Sequence, residues 1–290
     1  MSIVFFCADD YALNAPISEA ILHLIEHDRL QATSCMTQAA DWPAYGAKLR
    51  ALKARKPQLQ IGLHFNLTHD FKDDLQFLPL GQLMLTSWLR VLPKVWVHKS
   101  LLWQWQKFVE VMGCAPDYVD GHQHVHQFPV VRTVLTNFLA NHAFQGWVRN
   151  LSDTLPTSGY RFKSTLLPKL GAPALARLCQ SLGIPQNQRF AGIYDFSNTT
   201  PYPTLMQRWL DSANPLGHLK LAVPEQVSTD LADSLLIMCH PAMDNSDTSD
   251  GIADARVREY DYLASSQFAQ DCVDHQLTIN AVVIASRSAP

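Results

Sequence analysis

Short apolar segments rich in β-branched residues alternate with segments of helical periodicity along this 290-residue chain. Such alternation is typical of parallel β-α units, in which each helix returns the chain to the start of the next strand. The expected strands are residues 3–9, 32–37, 60–67, 118–121, 147–151, 190–196, 234–239 and 277–284. The expected helices are residues 15–29, 43–55, 129–142, 164–182, 204–213 and 255–274. Seven or eight such units predict an α/β fold, a distorted or incomplete (β/α) barrel of the TIM type with mostly parallel strands. An open doubly wound sheet is the alternative.

The segment 68–106 interrupts this alternation after the third expected strand. It is rich in Leu and Val and carries four tryptophans, Trp88, Trp96, Trp103 and Trp105. We expect an insertion here, either a lid, a stacking wall or an interface between subunits, and core packing by a small helical subdomain is an equal alternative. The length favours a single domain over residues 1–290 that includes this segment.

Bulk composition excludes several classes of protein. The net charge of -3 gives no basic footprint for nucleic acid. No apolar run is long enough to predict a membrane span. The six cysteines are scattered without a C-x-x-C pair, and the apolar run from Ile3 to Ala8 ends at two aspartates, so it predicts a strand and not a signal peptide. We expect a protein of the reducing cytoplasm.

Polar side chains concentrate where the expected strands end. The carboxyl ends of parallel strands converge on one face of a β/α barrel, and such folds place their chemistry there. The sequence therefore predicts one polar site on that face. Its candidates are Asp9, Asp10, His64, Asp120, His122, His124, His126, Arg149, Asn150, Tyr194, Asp195 and His240.

The separate signals differ in strength. Asp9 and Asp10 could equally cap the helix that follows, and a lone histidine such as His64 or His240 is more often a satisfied core residue. The segment 120–126 is stronger, because its three histidines at alternate positions would share one face of an extended backbone. The alternative for this segment is a cluster of histidines on the surface with no role in a site.

A site with one aspartate and two histidines offers one oxygen and two nitrogen ligands. That set suits Zn²⁺ or another divalent first-row ion, with positions left for water and substrate. Non-haem iron oxygenases use the same ligands. The spare acid and the extra histidines favour hydrolysis, because hydrolysis needs a base and an acid beside the metal.

Four motifs occur in order along the chain. They are Ala8-Asp9-Asp10-Tyr11, Gly62-Leu63-His64-Phe65-Asn66-Leu67-Thr68, Asp120-Gly121-His122-Gln123-His124-Val125-His126-Gln127-Phe128-Pro129 and Met238-Cys239-His240-Pro241. Together they resemble the YdjC-like carbohydrate deacetylases, the group that includes chitooligosaccharide deacetylase. The resemblance extends to Arg256 and Glu259 and so covers nearly the whole chain.

The resemblance implies that Asp10, His64 and His122 hold one divalent metal ion, magnesium or zinc, and that Asp9 is the general base. It also implies a homodimer. For the general acid we expect His240, with His124 or His126 as second choice. Substrate contacts are expected from four residues, His124, His126, Arg149 and Tyr11.

The implied reaction is hydrolysis of the acetyl group of an N-acetylated sugar. Two alternatives remain, a metal hydrolase of a phosphate ester or cyclic amide, and a non-catalytic sugar-binding protein on the same fold. One departure from the family concerns the backbone, because the family usually has Phe-Gly after the Asp pair and this chain has Tyr11-Ala12. Glycine supplies backbone freedom, so Ala12 is expected to shift this loop slightly.

Overall fold

The computed structural model describes residues 3–72, 76–157, 169–213, 234–275 and 277. These residues contain seven strands, β1 (Ile3–Tyr11), β2 (Ala32–Cys35), β3 (Gln60–Phe65), β4 (Tyr118–Gly121), β5 (Trp147–Val148), β6 (Arg189–Ala191) and β7 (Ser234–Cys239). The helices are α1 (Ala15–Glu26), α2 (Trp42–Arg55), α3 (Leu80–Trp88), α4 (Lys94–Met112), α5 (Val131–Asn141), α6 (Ala172–Ser181), α7 (Tyr202–Ala213), α8 (Ala253–Ala264) and α9 (Ser266–Asp274). A 3₁₀ helix (His122–Gln127) follows β4.

All seven strands are parallel and form one sheet in the order β5-β4-β3-β2-β1-β7-β6. Strands that are consecutive in the chain are thus neighbours from β1 to β5, and β1 also pairs with β7 on its other side. Two isolated parallel bridges, Val148 to Gln186 and Thr154 to Phe190, span the gap between β5 and β6. The fold is thus an incomplete TIM-like barrel, which confirms the α/β prediction and not the doubly wound alternative.

The predicted strands differ in how well they match. β1 to β4 and β7 lie within two residues of the predicted ends, whereas β5 and β6 have only two and three residues. The predicted strand 277–284 lies outside the described residues, apart from Leu277. The predicted helix 255–274 is two helices, because Ser265 leaves the helical conformation and its hydroxyl caps α9 by accepting from the Phe268 amide.

The Trp-rich segment 68–106 contains α3 and much of α4. Helix α4 packs against α2, α5 and β3, so it is the helix that connects β3 to β4. Trp105 is buried edge-on against Phe138 and Phe144, which is core packing. A lid or subunit interface in this segment is not confirmed. No helix in the described ranges is both long and apolar enough to cross a membrane.

Alternate residues of the strands face two different apolar clusters. Phe6 and Ala8 of β1 pack outward against the helices, and Phe5 and Cys7 pack inward with strand residues such as Trp147. Inside the curl, the Tyr118 ring stacks on Trp147 with ring centroids 4.3 Å apart. Because the side-chain period along a strand is two, Asp9 continues the inward row of Phe5 and Cys7 to the carboxyl end of β1.

The packing inside the curled sheet leaves no room for a side chain at Gly62. A Cβ at this position would lie 2.4 Å from the ring of Tyr118, which is held by its stack on Trp147 and by a hydrogen bond with the Cys7 Sγ. We therefore expect Gly62→Ala to lower the free energy of unfolding in urea by about 1–3 kcal/mol. Gly81→Ala in α3 is the matched control, because no atom lies within 4 Å of its added Cβ. Equal stability of the two variants would contradict this packing.

Candidate metal centre

A bulge in β1 brings both carboxylates of the Asp pair to the same site. Ala8 pairs with Thr33 and Tyr11 pairs with Cys35, so β1 has one more residue than β2 over this stretch. Asp10 has a φ of 68°, a left-handed conformation that Asp tolerates better than most residues. Adjacent strand residues normally face opposite ways, and the bulge removes that alternation at Asp10.

Three predicted ligands come together around one carboxylate oxygen. Oδ1 of Asp10 lies 3.3 Å from Nε2 of His64 and 3.1 Å from Nδ1 of His122. The three candidate ligand atoms all lie within 4.8 Å of one another. Asp10 lies on β1, His64 lies on β3 and His122 directly follows β4, so the carboxyl ends of three parallel strands of one sheet position all three residues.

The other ring nitrogen of His64 is already occupied. Its Nδ1 lies 2.7 Å from Oδ1 of Asp120 and 3.1 Å from Oγ of Ser34. A carboxylate that accepts from one imidazole nitrogen fixes the tautomer and leaves the other nitrogen as a metal ligand. Asp120 therefore orients His64 with Nε2 towards Asp10.

Arg149 holds Asp9 from inside the barrel. Its guanidinium donates to both oxygens of Asp9, at 2.6 and 2.7 Å, and lies 2.6 Å from Oδ2 of Asp120. Both Arg149 and Asp120 are fully buried. Burial would raise the pKa of Asp9, but the charges of Arg149 and His64 and the hydrogen bonds from Arg149 together outweigh it and hold that pKa below its usual range. Asp9 is thus kept ionised and fixed in place.

Arg149 also fills a second cluster of potential metal ligands. Cys7, Asp9 and Asp120 have ligand atoms close enough for a cation, but the guanidinium contacts all three, including Sγ of Cys7 at 3.1 Å. A fixed organic cation therefore occupies the place where a second metal ion would bind.

Arg256 has the corresponding role for Asp10. It donates to Oδ2 of Asp10 at 2.7 Å and to Oδ2 of Asp250 at 2.5 Å. This contact leaves Oδ1 of Asp10 facing the two histidines. Although burial opposes ionisation, Arg256 and His122 hold the pKa of Asp10 well below its usual range.

The charge of the site fits a bound cation. Burial would lower the pKa of His64, yet the carboxylates of Asp120, Asp9 and Asp10 raise it to about 10. An environment that stabilises a positive charge on the ring stabilises a metal ion in its place, because a ligating histidine gives up that proton. One carboxylate oxygen and two imidazole nitrogens are also a donor set for a divalent ion. The residues therefore fit the expected metal.

The histidines of residues 122–126 do not share a face, contrary to the expectation for an extended backbone. The segment is a 3₁₀ helix, and Gln123 and His124 have left-handed backbones with φ of 52° and 58°. His122 points to Asp10, whereas the His124 ring packs edge-on against Phe190. His126 is fully buried and its Nε2 donates to the Arg149 carbonyl at 3.1 Å.

His240 lies beside Asp9 at the end of β7. Its Nε2 is 4.0 Å from Oδ2 of Asp9. Its backbone amide donates to Oε2 of Glu259 at 2.6 Å, and the hydroxyl of Tyr194 donates to Oε1 of the same carboxylate at 2.6 Å. Glu259 is fully buried in α8, and burial raises its pKa to about 7 despite these two hydrogen bonds.

Three of the four residues predicted to contact substrate have buried side chains that bind protein atoms. Arg149 binds Asp9, His126 binds the backbone of Arg149, and the Tyr11 hydroxyl donates to the Tyr45 carbonyl at 2.8 Å. These contacts favour positioning roles. A substrate contact by His124 stays a prediction.

Sequence reasoning assigned no role to Arg256, Glu259 or Asp250. The available signal was the spacing of Arg256 and Glu259, three residues apart on α8, which places both on one helix face. Both are buried, at 3% and 0% exposure, and that face contacts Asp10 and the His240 backbone.

The profile of a family described as YdjC-like protein matches residues 3–274. The chain belongs to the YdjC-like family.

Several curated relatives of this YdjC-like protein carry the same name. Chitooligosaccharide deacetylase of Proteus mirabilis is 29% identical over 141 residues, which is 45% of this chain and 53% of the relative. The enzyme of the same name from Serratia marcescens is 30% identical over 141 residues, with the same shares covered. The chain thus matches about half the length of these relatives.

A solved structure supports the fold of this YdjC-like protein. A protein of Enterococcus faecalis V583, described as a candidate cellobiose-phosphate cleavage protein, superposes with a TM-score of 0.68 and 16% identity. The superposition covers 95% of both chains. At this identity the likeness establishes the shared architecture alone.

The ligand set is tested by metal content. We expect the wild-type chain to retain one divalent ion after dialysis, measured by inductively coupled plasma mass spectrometry. His122→Ala should weaken binding by more than the roughly 10- to 100-fold that loss of an outer-shell partner costs. His69→Ala is the matched control, since its ring packs 6.1 Å from that of His122 but is not among the clustered ligands. Stoichiometric metal in His122→Ala would remove His122 from the ligand set.

The buried Glu259 predicts a pH-dependent stability. The folded-state pKa of Glu259, about 7, lies above the usual carboxyl value. Protonation of Glu259 therefore contributes its full stabilisation of the fold below about pH 4, and this stabilisation is lost as the pH rises through 7. Relative to Glu259→Gln, the wild type should lose up to about 3 kcal/mol of unfolding free energy between pH 5 and pH 8. Urea unfolding of both proteins at each pH measures this change, with the exposed Glu110→Gln as control. A difference that does not vary with pH would contradict the prediction.

Proposed function

We propose that this chain is a metal-dependent hydrolase that removes the acetyl group from an N-acetylated sugar. The observation that carries the proposal is the cluster of Asp10, His64 and His122 beside Asp9, an ionised carboxylate that takes no part in the cluster. Membership of the YdjC-like family and relatives named chitooligosaccharide deacetylase support the substrate class. A homodimer and a cytoplasmic location stay predictions.

Asp10, His64 and His122 would hold the ion. When bound, a divalent ion there would supply Lewis acidity to the acetyl carbonyl and lower the pKa of a water molecule. Magnesium and zinc both remain compatible with the oxygen and nitrogen donors. Asp120 and Arg256 support the ligands by fixing His64 and one oxygen of Asp10.

Asp9 is the proposed general base. The bidentate contact with Arg149 fixes the Asp9 carboxylate and lowers its basicity. The role of Asp9 as a base therefore depends on its proximity to a water molecule whose pKa a bound metal ion would lower. Ser34 donates to Oδ1 of Asp9 at 3.2 Å, and Oδ2 faces His240. The proton taken from water would therefore reside on Oδ2.

His240 is the proposed general acid. Burial lowers the pKa of His240 to about 4, so its ring is neutral near pH 7 and must gain a proton before it can donate one. Asp9, 4.0 Å away, is the neighbouring group that carries a proton after water has reacted. We therefore propose that the proton passes from Asp9 to Nε2 of His240 and then to the leaving amine. Glu259 holds the His240 backbone during this transfer.

The phosphate-ester alternative is weaker on this geometry. Two-metal phosphatases need a second cation about 3.5–4 Å from the first. The neighbouring acidic cluster of Cys7, Asp9 and Asp120 is occupied by Arg149. A non-catalytic sugar-binding protein would have no need to hold an ionised Asp9 beside the metal ligands, so the hydrolase is favoured.

Asp9→Asn tests the base. We expect acetate release from N-acetylated mono- and oligosaccharides to fall by about 10²- to 10⁴-fold in kcat, because the variant cannot accept the proton. Metal content should persist, since Asp9 is outside the ligand cluster. Circular dichroism checks folding, because Arg149 loses one of its two carboxylate partners. Full activity of Asp9→Asn would refute the assignment, and absence of acetate from all substrates with folded, metal-loaded wild type would refute the proposed reaction.

A further inference from the structure

Exposed apolar side chains are concentrated on one part of the surface. Ten large apolar side chains are exposed in the part of the chain that the structure describes, and six of them lie on α3, in the turn after it or at the start of α4. A single exposed apolar residue is normal on a protein surface, whereas a group of them marks a surface that binds a partner. The six are Leu80, Leu85, Trp88, Leu89, Val91 and Val95.

Helix α3 has its apolar side chains on the outside. Leu85, Trp88 and Leu89 are 59%, 47% and 64% exposed, and their spacing of three and four residues places them on one helix face. The buried side of α3 contains Ser87, whose hydroxyl donates to the Pro129 carbonyl. A helix that only covers a core turns its polar side to water. The outer face of α3 therefore has the character of a docking face.

Positive charge is concentrated in the part of the sequence that contains α3. Residues 75–194 have eleven lysines and arginines and four acidic residues, a net charge of +7, whereas the rest of the chain has twelve and twenty-two, a net charge of -10. No acidic residue occurs from 76 to 109. Arg90, Lys94 and Lys99 are exposed there, and none of them forms an ion pair with a described residue. The apolar face is thus flanked by unpaired cations.

Three arginines meet beside the outer face of α3. Arg90 follows α3, Arg132 lies in the first turn of α5 and Arg177 lies on α6. Burial lowers the pKa of Arg132, and the neighbouring charges of Arg90 and Arg177 lower it further. No described carboxylate forms an ion pair with any of the three. Guanidiniums without a carboxylate partner are suited to binding phosphate oxygens.

This arginine cluster is fixed at a defined place in the fold. Arg132 donates to the Gln127 carbonyl at 3.1 Å, and the contact of Ser87 with Pro129 holds α3 against the start of α5. Helix α5 begins directly after the 3₁₀ helix that contains His122. The arginine cluster therefore lies at the same end of the barrel as the candidate metal ligands.

The combination of aliphatic side chains and unpaired cations favours a lipid surface as the partner. Proteins that bind a membrane interface insert apolar side chains and place Lys and Arg against anionic headgroups. A second copy related by two-fold symmetry would bring two patches of the same positive charge together. Single-stranded nucleic acid is held by rings on which bases stack, and Trp88 is the one aromatic residue among the six exposed side chains.

We infer that the outer face of α3 and the arginine cluster dock this chain on a membrane that contains anionic lipids. The apolar side chains enter the boundary between headgroups and acyl chains, and the guanidiniums bind headgroup phosphates. With nine residues, α3 would lie along this boundary and not across the bilayer. The docking surface is separate from the candidate metal ligands, so its test is independent of the proposed activity.

Sedimentation of the full chain with vesicles tests the docking. We expect binding to vesicles of equal parts phosphatidylcholine and phosphatidylglycerol, much weaker binding to phosphatidylcholine alone, and a decrease as the salt concentration rises. Leu89→Gln should weaken binding to the anionic vesicles by about tenfold, because an apolar anchor is lost. Arg90→Gln should weaken it by about fivefold, the scale of one cation near an anionic surface.

Matched controls remove the same kinds of group elsewhere. Val273→Gln changes an apolar residue of α9 that is 65% exposed, and Arg55→Gln removes a charge from α2. Both should bind the anionic vesicles as the wild type does. Circular dichroism checks that all four variants are folded. Equal binding of wild type to neutral and anionic vesicles, absence of binding to either, or equal losses in the variants and their controls would overturn the inference.

Tryptophan fluorescence identifies the face that enters the lipid. Acyl chains that carry bromine quench a tryptophan that reaches them, so vesicles with brominated phosphatidylcholine should quench the wild type. Trp88→Phe should bind these vesicles equally and lose most of the quenching. Quenching that persists unchanged in Trp88→Phe would show that another part of the chain enters the lipid, and would overturn the role of α3.

Two further results would assign the surface to another partner. Dimers in solution that both Leu89→Gln and Arg90→Gln convert into monomers, with vesicle binding unchanged, would make it an interface between copies of this chain. Binding of a single-stranded oligonucleotide that Arg90→Gln weakens, without binding of the wild type to anionic vesicles, would make it a nucleic-acid surface. Either result would overturn the lipid docking.

Discussion

Buried negative charge at the carboxyl ends of the strands is the constraint on which the site depends. Asp9, Asp10 and Asp120 are each no more than 2% exposed, and carboxylates are tolerated at that depth only when cations and hydrogen bonds compensate them. Arg149 and Arg256 supply two positive charges, so three carboxylates and two guanidiniums leave one negative charge in this set. The raised pKa of His64 is the consequence, because a proton on its ring completes the balance. A divalent ion would satisfy the same deficit with its ligands already fixed.

This arrangement requires an irregular backbone at the end of β1. The bulge turns Asp10 towards the site, and the next turn places Ala12 at a φ of 73°. Glycine adopts this conformation freely, whereas an alanine there costs roughly 1 kcal/mol. The position where the resemblance implies a glycine is therefore a residue with a left-handed backbone, two residues after the candidate ligand Asp10. The Ala12 amide donates to the Ser18 hydroxyl at 3.1 Å, which helps to hold the turn. Backbone strain of this kind is commonly found where the chain orients the side chains of a functional site.

The fold class and the cluster of Asp10, His64 and His122 could be predicted from the sequence, whereas the contacts that support this cluster could not. β7 is buried at every residue and is apolar from Leu235 to Cys239, so local analysis detects it as a continuous apolar run, and β3 has apolar side chains at every second position. The predicted strands 147–151 and 190–196 coincide with β5 and β6 but are longer, because strands of two and three residues give little signal for their ends. The direction of each histidine in the segment 122–126 depends on two left-handed residues that no side-chain pattern encodes. The same limit applies to Glu259, because its partners Tyr194 and His240 are distant in sequence and meet only after the barrel forms.

Strands and the loops that follow them contribute differently to the candidate metal centre. His64 is held by β3, whose ladder with β4 also aligns Asp120, so a change at the ligand would disturb the sheet. The loop that leaves β3 carries Asn66 and His69 beside the candidate ligands, and Gln104 of α4 accepts from its Asn66 amide and fixes where the loop begins. Loops accept changes of sequence and length at lower cost than strands do. A change of residue is therefore less costly in this loop than at the strand ends that carry Asp10 and His64.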